Sequence, residues 1–245
     1  MGASTRRAAW ISASIAAAAI AACAAPAAVA PARSPAAVAS AHASTTGCEG
    51  CHAPIAREWR ASLHAQAFRH STFQRAYAVE PMPFCVGCHA PLTDATAPRA
   101  PEADLGVACV ACHPGGARTA ARGAPASAAD RACARCHEFP YPDGLAAGRL
   151  LQRTASEHAA SSVSHVSCIQ CHMPRTPGAA GHLDHSFAAS RDEALVRAAA
   201  RITARLEPGA VVVRFERRAV GHAFPTGDLF RRLVVTVSTD AGEVR

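Results

Sequence analysis

The chain has 245 residues with a formal charge of +7; half of them are hydrophobic, but only 5% are aromatic. It contains 11 cysteines and no lysine, so all 25 basic side chains are arginine. The basic balance does not call for a nucleic-acid partner: removing Arg6 and Arg7 with the export segment leaves +5, and the acidic cofactor groups inferred below offset the rest.

Arg6 and Arg7 precede an apolar run from Ala8 to Ala22, which has the charged n-region and short h-region of a secretory signal and is too short for a comfortable membrane span. Ile20-Ala21-Ala22-Cys23 resembles a bacterial lipobox. Residues 1–22 therefore read as a lipoprotein signal peptide and Cys23 as the lipidated mature N-terminus, with the membrane as a partner through that anchor. Cys23 is the one cysteine outside the motifs below, and an unpaired thiol in an oxidising compartment otherwise needs an explanation. An ordinary signal cut near Ala30 is the alternative. Ala24, rather than aspartate, fits the sorting of bacterial lipoproteins to the outer membrane but does not select a face; the periplasmic side is the expected location, with the cell surface as the alternative. Residues 23–47 are alanine, proline and serine with few large apolar groups, a flexible tether in which His42 is a solvated tail residue.

From residue 48 a pentapeptide recurs five times: Cys48-x-x-Cys51-His52, Cys85-x-x-Cys88-His89, Cys109-x-x-Cys112-His113, Cys133-x-x-Cys136-His137 and Cys168-x-x-Cys171-His172. Two cysteines one helical turn apart reach both vinyl groups of one haem, and the next histidine lies under the iron as its proximal ligand. Zinc sites combine ligands four at a time and give no reason for a histidine after every second cysteine; a redox dithiol needs one copy. Five c-type haems are the expected cofactors. Each brings two propionates against one ferric-core charge, roughly −5 in all.

Residues 48–190 give about 29 residues per haem, too few to wrap each in its own core. The expected fold is mainly α with little regular structure, built around stacked c-type haems, with a small β-rich C-terminal segment. Residues 55–68, free of glycine and proline, read as a helix carrying Trp59, Leu63 and Phe68 as a stripe and His64 as a distal ligand. His70 is a weaker candidate. Met82, hemmed by Pro81 and Pro83, reads as packing. The connections at 90–106 and after His113 hold no spare histidine, so distal ligands must arrive from remote positions. His158 and His165 are seven apart, share a face if helical, and are both distal candidates. Of His182 and His185, three apart, His185 is chosen as ligand and His182 as bonded or solvated.

Residues 191–206 read as a connecting helix closed by Glu207-Pro208-Gly209, and 207–245 as the β-rich segment, with Ala210–Phe215 and Leu233–Val237 as strands. The loop Gly221-His222-x-x-Pro225-Thr226-Gly227 between them presents His222 as a distal candidate. Two strands alone are marginal, so the sheet is expected either to be incomplete or to be completed by another part of the molecule.

Trp59-x-x-Ser62-x-His64, Cys168-x-x-Cys171-His172-Met173-Pro174, His182-x-x-His185-x-Phe187 and Gly221-His222-x-x-Pro225-Thr226-Gly227 together resemble bacterial multihaem cytochromes c related to the tetrahaem electron acceptor of hydroxylamine oxidoreductase, over about 48–237. The resemblance implies mostly bis-histidine, low-spin haems in stacked pairs that conduct electrons between a redox protein donor and acceptor, with His64, His158, His185 and His222 best matched to distal ligands. Five motifs rather than four depart from that pattern. Eight histidines outside the motifs suffice for five distal ligands. The rival expectation is a haem enzyme with one open iron acting on a small nitrogen or sulfur compound; the Cys-x-x-Cys-Lys form of pentahaem nitrite reductases is absent. A sensor or docking subunit is a third class.

Overall fold

The computed structural model describes residues 45–98, 101–114, 126–141, 149–178, 181–218, 220–227, 231–239 and 242–244. The signal peptide, the lipidation site Cys23 and the tether as far as residue 44, with His42, lie outside these residues. No helix among the described residues is long and apolar enough to cross a membrane.

All five Cys-x-x-Cys pairs are helical. They lie on α1 (45–51), α4 (Pro83–His89), α5 (Cys109–Cys112), α6 (Ala126–His137) and α8 (Cys168–His172). Where the histidine falls just past the helix, its N–H still closes the turn: His52 to the Cys48 carbonyl and His113 to that of Cys109, both at 2.8 Å. Proline starts two of the flanking helices, at the position where its missing N–H costs nothing: Pro54 in α2 (Ala53–Ala61) and Pro83 in α4. The remaining helices are α3 (Ser71–Val79), α7 (Thr154–Ala159) and α9 (Glu193–Ala199).

The expected helix over 55–68 ends at Ala61. Ser62 turns extended (ψ 162°) and its hydroxyl donates to the Trp59 carbonyl at 2.6 Å, the local competition with the helix ladder that serine brings. The His64 carbonyl then accepts from Val107 N–H at 2.9 Å. The stripe is split in consequence. Trp59 joins a buried cluster with Ala65, Leu92 and Ala108, whereas Phe68 packs on a second cluster of Val86, Ala90 and Ala103. Trp59 keeps its indole N–H satisfied on the Val107 carbonyl at 2.8 Å. Both clusters consist mostly of small residues, as expected of a chain that does not rely on a large polypeptide core.

Three two-stranded antiparallel sheets follow. β1 (Glu138–Pro140) pairs with β2 (Leu150–Arg153); β3 (Ala200–Glu207) pairs with β4 (Ala210–Arg217); β5 (Val237–Thr239) pairs with β6 (Gly242–Val244). The connecting helix expected over 191–206 is corrected: α9 starts with the Asp192 carboxylate accepting from Leu195 N–H and ends at Ala199, and the chain is strand from Ala200. The period explains why. Ile202, Ala204 and Leu206 alternate with Arg201, Thr203 and Arg205, and in register they face Phe215, Val213 and Val211. Gly209, at φ 73°, makes the turn with Pro208. The second expected strand is shorter than read: Leu233 to Thr236 lie outside any strand, and β5 begins at Val237.

Candidate haem site

The helices bring the five attachment motifs against one another. Cysteines of different motifs lie side by side: Cys88 is close to Cys136, and Cys133 to Cys168. Cys112 lies near Cys133 and Cys136, and Cys109 near Cys48. Asp130 of α6 helps set this contact: its carboxylate accepts from Cys168 N–H at 2.9 Å, at the N-terminus of α8, where a negative charge is favoured. Ser167 and Gln170 complete a capping box on the same helix. None of the ten cysteines is in a disulfide. Among the described residues no three or more His, Cys, Asp or Glu side chains converge as a zinc site requires.

Three histidines that follow a motif face a histidine from a remote segment. Ring centres are 6.2 Å apart for His137 and His64, 6.3 Å for His113 and His185, and 6.1 Å for His172 and His222. An imidazole nitrogen binds a transition metal at about 2 Å and lies about 1.2 Å from its ring centre, so two imidazoles on opposite sides of one iron have centres about 6.4 Å apart. The spacing of all three pairs fits a shared iron. Their planes differ: 77° between His64 and His137, 31° between His113 and His185, 13° between His172 and His222.

Hydrogen bonds at Nδ1 fix the tautomer that puts the lone pair on Nε2, the atom that could then bind a metal. Nδ1 of His172 donates to the Ala188 carbonyl at 2.5 Å, of His185 to Leu183 at 2.6 Å, of His222 to Ala223 at 2.8 Å, of His89 to Ala67 at 2.9 Å and of His158 to Gly221 at 2.9 Å. His158 adds a further sign. Its Nε2 is buried with no hydrogen-bond partner, the condition of a polar atom whose partner is a metal rather than the protein.

Burial favours the neutral form of His64, His137, His185 and His222. His64 is pushed down to about 4, first by desolvation and then by the proximity of His137 and His172. His137, His185 and His222 are all lowered, in each case chiefly by burial. A neutral imidazole has the lone pair that a metal needs.

Two carboxylates hold the distal segments in place. Glu58 of α2 lies 2.9 Å from His182 Nε2 and accepts the His185 backbone N–H at 2.9 Å. Glu157 of α7 accepts from Ala223 N–H at 3.1 Å and the Thr226 hydroxyl at 2.8 Å, bracing the loop that carries His222. The start of α7 is itself capped by Glu138, which accepts from Ala155 and Ser156 N–H. The residue after the fourth motif thus helps position His158 and, through Glu157, His222.

The remaining candidates are placed differently. His165 does not share a face with His158, because α7 stops at Ala159 and His165 sits exposed on the turn that follows. His182 is the Glu58 partner. His70 caps α3, with Nδ1 accepting from Thr72 N–H at 3.3 Å and Arg191 3.0 Å from Nε2. Met82 is the N-cap of α4. His52 is exposed, and Phe73 stacks on His89 at 3.9 Å. Sequence reasoning missed Glu58 and Glu157, and it saw Phe187 and Thr226 only as letters of their motifs.

The family model described as "Cytochrome c554 and c-prime" matches residues 47–114, the span of the first three motifs. The crystal structure of a penta-heme cytochrome c552 from Thermochromatium tepidum is similar in fold, with a TM-score of 0.53 and 22% identity over 74% of this chain. The match covers 66% of that chain, just under two thirds of its length. No curated protein matches. The chain is mostly helical with small sheets, similar in fold to a multihaem cytochrome, and the family match, the fold and the repeated attachment motifs together support a multihaem c-type cytochrome.

Proposed function

We propose that the chain is a periplasmic electron carrier that holds five c-type haems, mostly with two histidine ligands each, and passes electrons along them between a redox protein donor and acceptor. The observation that carries this is the set of three histidine pairs at 6.1–6.3 Å, each joining a motif histidine to a remote one. When bound, a c-type haem supplies a reversible one-electron iron couple. The chain's own residues do the rest. His64, His185 and His222 would serve as second ligands to haems attached beside His137, His113 and His172, and His158 offers one more buried Nε2. Imidazoles on both faces leave an iron no position for substrate, which favours conduction over catalysis. Because Cys88 lies close to Cys136 and Cys133 to Cys168, haems attached there would be near one another, as short electron steps require. Kinship with the tetrahaem electron acceptor of hydroxylamine oxidoreductase belongs to the same proposal, as do anchoring through Cys23 and location at the outer membrane.

Low-temperature EPR of the oxidised holoprotein, with a carbon monoxide difference spectrum after reduction and a haem count by intact mass, tests the proposal. Five haems per chain are expected, with low-spin signals and no response to carbon monoxide from those at His113, His137 and His172. A high-spin haem that binds carbon monoxide at His113, His137 or His172 would overturn it.

A further inference from the structure

Phe187 has a left-handed backbone, with φ 55°, alone among the non-glycine residues described. Bulky side chains rarely adopt that conformation, and it persists only where the surroundings over-determine it. Here the surroundings are the buried cluster of Trp59, Ala65, Leu92 and Ala108, on which Phe187 packs, and histidines from three different ligand pairs. The Phe187 ring meets His64 edge-on, with centres 4.2 Å apart and planes at 90°, and meets His185 at 5.8 Å and 78°. One residue further on, the Ala188 carbonyl accepts from His172 Nδ1. One residue before, Ser186 N–H is tied to the Asp184 carboxylate at 2.7 Å. The left-handed turn lets adjacent residues serve opposite directions, the ring toward His64 and His185 and the next carbonyl toward His172.

We propose that Phe187 is a positioning residue that sets the ring orientations of His64 and His185 together, so that the haems attached at Cys133–Cys136 and Cys109–Cys112 share one steric control. The proposal rests on the bis-histidine assignment above. The two imidazoles depend on the contact unequally. His185 has its Nδ1 bond to Leu183, whereas among the described residues no hydrogen bond fixes the His64 ring, and the edge of Phe187 is what opposes its rotation. His64 is also the ligand whose plane stands nearly perpendicular to that of its partner, at 77°.

That angle supplies a readout. As the two ligand planes approach perpendicular, the orbital splitting that restrains g anisotropy falls, so the His64–His137 haem gives a large-gmax low-spin signal and the near-parallel His172–His222 haem an ordinary rhombic one. Phe187→Gly removes the ring and its packing on the Trp59 cluster while suiting the left-handed backbone, and far-UV circular dichroism with a haem count confirms that the variant folds and is loaded. In its holoprotein the large-gmax signal moves toward the rhombic type and the reduction potentials of two haems shift, while the rhombic signal of the 13° pair stays. Phe187→Tyr, which retains the ring, restores the wild-type pattern. An unchanged large-gmax signal and unchanged potentials in Phe187→Gly would overturn the proposal. So would a displacement of all five haems together, since that marks a general structural role. If the wild-type protein lacks the large-gmax signal, the bis-histidine assignment at His64 fails first and the proposal falls with it.

Discussion

His158 and Gly221 interlock: the Nδ1–H of His158 donates to the Gly221 carbonyl at 2.9 Å, and a Cβ at Gly221 would stand 2.4 Å from that same nitrogen. The glycine is needed for close approach, not for backbone conformation. Gly221→Ala should drive the imidazole off its carbonyl and displace its buried Nε2. The expected result is a change in one low-spin signal in the holoprotein and a loss of about 1–3 kcal/mol of stability, typical of overpacking. EPR of the holoprotein measures the first and chemical denaturation followed in the Soret band the second, and an unaltered spectrum with full stability would show that His158 is not held by this contact.

Gly106 combines both constraints. Its φ is 59°, and an added Cβ would lie 2.4 Å from the His64 carbonyl oxygen and 2.9 Å from that of Ala65, both backbone atoms that cannot swing aside. Val107 N–H, which holds the His64 carbonyl, is the next group in the chain. Gly106→Ala should therefore cost more than the strain of the left-handed backbone alone, about 2 kcal/mol or more, and should weaken the His64–His137 site selectively. Thermal unfolding of the holoprotein together with its large-gmax signal checks this; a stable variant with that signal intact would contradict it.

Glu157→Ala removes the acceptor of Ala223 N–H and of the Thr226 hydroxyl. Thr226 keeps its 2.9 Å contact with Thr154, so the loop loosens rather than detaches. A half-buried N–H left without its charged acceptor costs about 1–3 kcal/mol. Because His222 sits in this loop, the near-parallel rhombic signal should broaden or shift. Glu157→Gln, which keeps an acceptor oxygen, should recover most of both. Equal effects from the two variants would mean that the charge, not the loop's position, matters.

Glu157 also marks where sequence reading stops. The five motifs were legible because the chemistry dictates both residue type and spacing, and each proved helical over its cysteines. His64, His185 and His222 were legible as histidines in need of a purpose, but their partners were not: pairing His137 with His64 depends on contacts 73 positions apart, which no local pattern encodes. The end of α2 at Ala61 turned on one serine hydroxyl and on Val107, 43 residues from the carbonyl it binds. β3 was mistaken for helix because alanines and arginines favour helices, while its alternation of Ile202, Ala204 and Leu206 takes effect only once β4 pairs with it. Glu58 and Glu157 looked like ordinary surface acids, since a carboxylate that accepts backbone N–H groups from a distant loop leaves no mark in its own neighbourhood.

Acid should affect the histidine ligands late. His64 is pushed down to about 4 from an ordinary value of 6.5, so between these pH values the unfolded chain binds a proton there that the folded chain does not. Stability then rises with pH across that window. The contribution is complete above pH 6.5, is lost as pH falls toward 4, and amounts to about 3 kcal/mol for a single buried histidine; His137, His185 and His222 act in the same direction. Two observations follow for the oxidised holoprotein. Its denaturation midpoint should fall as pH is lowered from 7 to 4, and the low-spin signal of the His64–His137 haem should still be present at pH 5, because burial disfavours the protonated imidazole and iron would hold the same lone pair. A pH titration of the EPR spectrum, with unfolding measured at each pH, separates the outcomes. Loss of that signal at pH 6 would mean that His64 titrates as an exposed imidazole and is not buried against its partner.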